Sequence, residues 1–275
     1  MEGVYQMWEK INKFVRSQVV LSAVILCVIF GVPLYALFLI PEAYQLHSYI
    51  ILVVILSAII ILLMKKLNIF DIADFKFKNI GKGFLLGWLA FLLMIIACIS
   101  NYSMITEENF IKPNPLTLIV TILAPFGTGL YEEVLCRGLL LKLLLDKMGK
   151  TKKGIVNACV ISSVIFGVWH FANIPLAGIM ATTSQVLYAT AMGLFLAAIY
   201  MRTKTLIVPM LLHAFINLSA QIWGAFIDVS MWDLASEMSL VENVIQTVII
   251  VIPFTIAGLV LLRKVKPDET ESCIV

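Results

Sequence analysis

The chain has 275 residues, 61% of them hydrophobic and only 13% charged, and a formal net charge of +3. A soluble domain carries about 25% charged residues, which excludes a water-soluble enzyme or binding module. The cations that make up the small positive excess mark membrane topology, so no nucleic-acid partner is expected.

Apolar runs fall near 19–40, 49–64, 83–100, 116–146, 155–172, 186–201, 205–224 and 242–262. Each approximates the ~20 residues that cross a hydrocarbon core as a helix, and an open sheet would leave its backbone unsatisfied in lipid. The pattern predicts an all-α polytopic membrane bundle of about eight transmembrane helices. It reads as one integral membrane domain over 1–275, with the lipid bilayer as first partner. The first span follows a basic stretch but is too long for a signal-peptide core and lacks a small-residue cleavage site, so it stays attached. With the N-terminus set inside, 18 of the 20 cations fall in inner segments, Lys112 alone lies in an outer loop, and Arg137 lies within a span. That asymmetry is the positive-inside pattern for an even number of spans. It places the protein in the cell membrane with both termini cytoplasmic.

Spans one to three carry no ionisable residue at depth and read as packing. Gly31-Val32-Pro33 predicts a kink in the first, and Gly83 with Gly87 offers a small-residue helix contact in the third. His47 is read as a solvated residue of a short outer loop. The connector from Asn68 to Gly81 mixes Asp, Lys and Phe and suits the inner interface. Span four, taken as 116–147, would make a helix of about 48 Å, longer than the ~30 Å core. Pro125 and Gly127-Thr128-Gly129 predict a break before Tyr131 that would aim helix N-terminal N–H groups at the next two residues.

Those residues are Glu132 and Glu133, followed by Arg137 inside the same apolar run. An ionised side chain at bilayer depth costs roughly 2.5–3.5 kcal/mol, so three together require partners. Glu133 and Arg137 are four apart and can pair along one face, which leaves Glu132 without a local partner. The turn at Gly149–Gly154 closes a helical hairpin centred on Thr151, nineteen residues after Glu132 and nineteen before His170. With equal rise in both arms, Glu132 and His170 lie at one depth. Span six carries Ala189, Gly193 and Ala197 as a smooth face. Span seven holds Pro209, expected to bend it, then His213 and Asn217 one turn apart on one face. Span eight is scaffold. Cys27, Cys98, Cys136 and Cys159 read as buried structural thiols. The tail, Cys273-Ile274-Val275, is one residue short of a prenylation box and is read as unlipidated.

Two of the three histidines thus share the membrane interior with Glu132, Glu133, Arg137 and Asn217. From the residues alone this is a structural network, a site for a proton- or ion-coupled transporter, or a hydrolytic site. No obvious inverted repeat supports the transporter. Hydrolysis gives each residue a task. Glu132 with His170 activates water, a contribution worth about 10²–10⁴ in rate. His213 and Asn217 donate to an oxyanion, where one donor is worth about 10²–10³. Glu133 and Arg137 support the helix.

Glu132-Glu133-x-x-x-Arg137, Phe166-x-x-x-His170 and His213-x-x-x-Asn217 resemble the three motifs of the CPBP family, over about 116–220, the expected catalytic core. That family groups type II CAAX prenyl endopeptidases with bacteriocin-processing and self-immunity proteins. The resemblance implies an intramembrane endopeptidase acting on a membrane-associated peptide or protein, with Phe166 in support and a cavity opening to membrane or cytosol. A non-catalytic immunity or scaffold protein carrying the same motifs is the alternative. Cys136 departs from the aromatic residue many members have before the arginine. The family is often labelled metalloprotease, and Glu132, His170 and His213 would make a His₂Glu zinc set. Glu133 would then have to serve as base despite its arginine, so no cofactor is firmly implied and Zn²⁺ is the alternative.

Overall fold

A computed structural model describes residues 2–228 and 231–268; the Cys273 tail lies outside them. An amphipathic helix, α1 (Glu2–Ser17), leads into α2 (Val19–Gly31), which tightens into a 3₁₀ stretch over Val32–Leu39. The change falls at the Gly-Val-Pro sequence because Pro33 has no N–H to continue the α ladder. Next come α3 (Glu42–Lys66), then α4 (Ile80–Leu86) and α5 (Trp88–Tyr102), which meet at 64°. Glycine is required on α4 and at this bend. A Cβ on Gly83 would stand 2.5 Å from Val208 and one on Gly87 2.7 Å from Leu212.

The long fourth run is α6 (Pro115–Glu133), a π stretch over Val134–Leu140, and α7 (Leu141–Met148). Then follow α8 (Lys152–Trp169), α9 (Ile174–Thr203), α10 (Ile207–Gln221), α11 (Met231–Glu237) and α12 (Leu240–Arg263). Thr151 caps α8 by accepting from the Gly154 N–H, and a capping box at Ser239 and Glu242 starts α12.

Among the described residues six helices are long and apolar enough to cross a membrane, or seven if α4 and α5 are one span. One of the six, residues 152–203, reverses at Gly178, whose φ of 72° suits glycine. A Cβ on Gly167 would meet Thr190 and one on Gly193 would meet Phe166 and Ser163, so the contacts run in opposite directions along the two arms. This stretch is a hairpin, and each of the eight apolar runs has its helix.

The cation-rich segments gather at one end. Arg16 binds Asp146 and donates to the Leu67 carbonyl, Lys152 donates to the Leu262 and Val265 carbonyls, and Asn79 donates to Thr203. At the other end Ile111 N–H donates to Phe226 and the Tyr35 hydroxyl to Ala172. The chain therefore starts and finishes its described path at the same end.

Three local expectations are corrected. Pro125 and Gly127–Gly129 do not break α6; the irregularity follows the glutamates instead, so no helix N-terminus faces them. Pro209 does not bend α10, because it lies in the first turn, where backbone N–H groups have no intrahelical partner anyway. His47 lies within α3 rather than in a loop.

Beneath the cation-rich end lies a buried knot. Lys142, fully buried, pairs with Asp74 Oδ2 at 2.5 Å and donates to the Ile69 carbonyl. Tyr200 donates to Asp74 Oδ1 at 3.0 Å, and the Asp74 carbonyl accepts from Leu206 N–H and the Thr205 hydroxyl. The knot ties the connector between α3 and α4 to α7, α9 and the start of α10. Burial pushes the Asp74 carboxyl above the usual aspartate range, against the opposing pull of Lys142 and Tyr200.

Candidate functional site

The second buried cluster forms where α6 passes into the π stretch. There the Leu141 N–H reaches back five residues to the Cys136 carbonyl, and each widened turn holds more residues than an α turn. Arg137, 1% exposed, donates from Nη1 to Glu133 Oε1 at 2.7 Å and from Nη2 to the Gly193 carbonyl at 2.9 Å. Its guanidinium lies 4.9 Å over the Phe166 ring, a cation–π contact that replaces lost hydration. Gly193 allows this fit, since a Cβ there would stand 3.1 Å from Phe166 and 3.4 Å from Arg137 Nη2.

α10 brings His213 between the two glutamates. Gly129 permits the approach, because a Cβ on it would lie 2.7 Å from the Met210 carbonyl of α10. His213 Nδ1 is 2.9 Å from Glu133 Oε1, and Nε2 is 3.5 Å from Glu132 Oε2. A carboxylate only accepts, so Nδ1 carries a proton. On the far side, one proton held between Nε2 and Glu132 keeps two bare acceptors from facing each other. Glu132 therefore has a partner in the fold, on another helix. Asn217 follows one turn after His213, half-buried.

His170 stands apart from this pair. It begins the 3₁₀ turn after α8, and its Nδ1 lies 2.9 Å from the Phe166 carbonyl. A carbonyl also only accepts, so Nδ1 is protonated and neutral His170 presents a lone pair at Nε2. Among the described residues it makes no ion pair with either glutamate. Ser162 donates to the Cys136 carbonyl at 3.2 Å, which ties α8 to the π stretch. Phe166 links the parts, with ring centroids 4.9 Å from His170 and 6.0 Å from His213.

The side chains do not fit the zinc set of Glu132, His170 and His213. Among the described residues no three His, Cys, Asp or Glu groups are arranged to hold a metal ion. Both His213 nitrogens face carboxylates.

One contributor escaped sequence reasoning. Tyr49 of α3 reaches α6, its hydroxyl 2.7 Å from Thr128 Oγ1, and lies within electrostatic reach of the Glu132 carboxylate. No local pattern marks it, because the contact depends on how α3 packs on α6. Two buried atoms of the cluster, Glu133 Oε2 and Arg137 Nε, have no hydrogen-bond partner.

A family model described as type II CAAX prenyl endopeptidase Rce1-like matches residues 114–219, the stretch that contains every residue of this cluster except Tyr49. No curated protein and no solved structure matches the chain.

Proposed function

We propose that this multi-pass membrane protein, which carries an Rce1-like domain over 114–219, is an intramembrane endopeptidase that hydrolyses a peptide bond of a membrane-associated peptide or protein. The observation that carries the reading is His213 held between two carboxylates inside that matched segment.

Glu132 is the general base. It is the partly exposed acid of the pair, with 14% of its side chain accessible, whereas Glu133 is fully buried and spends one oxygen on both Arg137 and His213. Glu132 takes a proton from water, assisted by the Nε2 lone pair of His170, and the water oxygen bonds to the scissile carbonyl carbon. The carbonyl π electrons move to oxygen, where His213 Nε2–H and the Asn217 amide donate to the oxyanion. Collapse re-forms the carbonyl, breaks the C–N bond and passes the proton to the departing amine. The products are a carboxylate and an amine. Glu133 accepts the Nδ1–H of His213 and with Arg137 fixes the ring plane, and the proton held between Nε2 and Glu132 is the one His213 donates. The cation-rich end faces the cytoplasm, following the charge asymmetry.

The test is cleavage of a membrane-anchored peptide by the purified full chain, with membrane peptides compared in cells expressing the native chain or Glu132→Ala. Glu132→Gln and His170→Ala are expected to abolish cleavage while the protein accumulates normally. Native cleavage by both variants would refute the reading.

A further inference from the structure

Glu132 has His213 on one side; its other side is bounded by α6 itself and by α3. A helical side chain leans toward the turn N-terminal to its own Cα, so the Glu132 carboxylate lies over Thr128, one turn earlier. Gly127 lets α3 approach at this level, since a Cβ there would be 3.0 Å from Val53. Tyr49, one turn before Val53, thereby brings its hydroxyl to 2.7 Å from Thr128 Oγ1.

The direction of the hydroxyl pair follows from proton counting. Thr128 has one hydroxyl proton and donates it to the Ala124 carbonyl at 3.0 Å. The proton between Thr128 and Tyr49 is then the tyrosine's. Tyr49 is left with its oxygen lone pairs, an acceptor held against the turn of α6 just before Glu132. The other nearby phenol, Tyr131, is committed elsewhere, donating to the Phe30 carbonyl at 2.6 Å.

An attacking water has two O–H bonds, and the base removes only one proton. The second must be held by an acceptor if the oxygen lone pair is to face the carbonyl carbon. We infer that Tyr49 is a further catalytic residue, whose phenol oxygen accepts the second O–H of the water that Glu132 deprotonates, and that Thr128 is the positioning residue that keeps it an acceptor. The inference rests on the endopeptidase reading above. No bond to Tyr49 forms or breaks; its oxygen only orients the nucleophile.

The experiment measures kcat and KM of the full chain in proteoliposomes on a membrane-anchored fluorogenic peptide, with thermal midpoints recorded in parallel. Tyr49→Phe keeps the ring and removes the acceptor, and it is expected to lower kcat about tenfold, the worth of one hydrogen bond. KM should stay within about twofold because substrate contacts are unchanged. Thr128→Val, which frees the tyrosine proton, should match that loss, and Thr128→Ser should restore native kcat. The double variant Tyr49→Phe/Thr128→Val should be no slower than Tyr49→Phe, since one bond chain is cut twice. Native kcat in Tyr49→Phe, alongside an inactive Glu132→Gln, would overturn this inference and leave the endopeptidase standing. So would a Thr128→Ser enzyme as slow as Thr128→Val. A Glu132→Gln enzyme as active as the native one would overturn both.

Discussion

The knot around Asp74 and the cluster around His213 are built from the same materials: buried acids, a buried cation, and contacts between helices far apart in sequence. They differ in what is left over. Asp74 has Tyr200 on one oxygen and Lys142 on the other, while its carbonyl takes Leu206 and Thr205. These groups fix a loop to three helices, and Asp74 Oδ2, which has no hydrogen bond, is held by its ion pair with Lys142. In the other cluster Glu133 Oε2 and Arg137 Nε have neither a hydrogen bond nor an ion pair of their own, and Glu132 makes only a 3.5 Å contact with 14% of its side chain exposed. Charge within a membrane bundle is therefore not itself a sign of chemistry. An acid left partly exposed beside a buried histidine is the sign.

The comparison separates most widely at Glu132. Glu132→Gln should lower turnover by about 10²–10⁴, the worth of a positioned general base, with the thermal midpoint near native. Lys142→Ala should do the reverse. Leaving a buried partner unpaired costs about 3–5 kcal/mol, read as a lower thermal midpoint and less accumulated protein. Turnover per folded molecule should remain native. If Lys142→Ala instead folds normally and cannot cleave, the division between the two clusters is wrong. The double variant Asp74→Asn/Lys142→Met should recover much of the lost midpoint, because neither charge is then stranded.

Glu133 is the intermediate case. It bonds inside one cluster as Asp74 does in the other, yet it also orients His213. Glu133→Gln is expected to lower both the midpoint and kcat. The two readouts moving together would mark it as the link between structure and chemistry; a change in midpoint alone would assign it to scaffold.

Much of this was legible in the sequence, for physical reasons. Helices in lipid must satisfy their own backbone, so the eight apolar runs gave the eight helices. The four-residue spacing of Glu133 and Arg137 gave their bond, and Gly83, Gly87 and Gly193 gave close contacts. What escaped depended on departures from ideal geometry or on contacts across the fold. The π stretch after Glu133 is one such departure, which the residue pattern does not announce. Lys142 counted as an inner cation, yet it is fully buried against Asp74 from a connector nearly seventy residues earlier. Tyr49 carried no mark in the sequence, because its role depends on how α3 packs on α6.

The smallest expected effect sharpens the comparison from the side of the knot. The folded chain raises the Asp74 carboxyl above its ordinary range because burial outweighs Lys142 and Tyr200. The folded state then holds the Asp74 proton more tightly than the unfolded chain does, so stability from this group is fully present below the ordinary aspartate value and is lost as pH rises through the raised one. The thermal midpoint of the native chain should accordingly carry a shallow downward slope across that window, and Asp74→Asn, which has no proton to lose, should flatten it. A slope of opposite sign would mean that Lys142 outweighs burial and that the knot is held by its charge pair. Turnover per folded molecule should ignore the change in either case, since among the described residues the knot shares no hydrogen bond or ion pair with the proposed site.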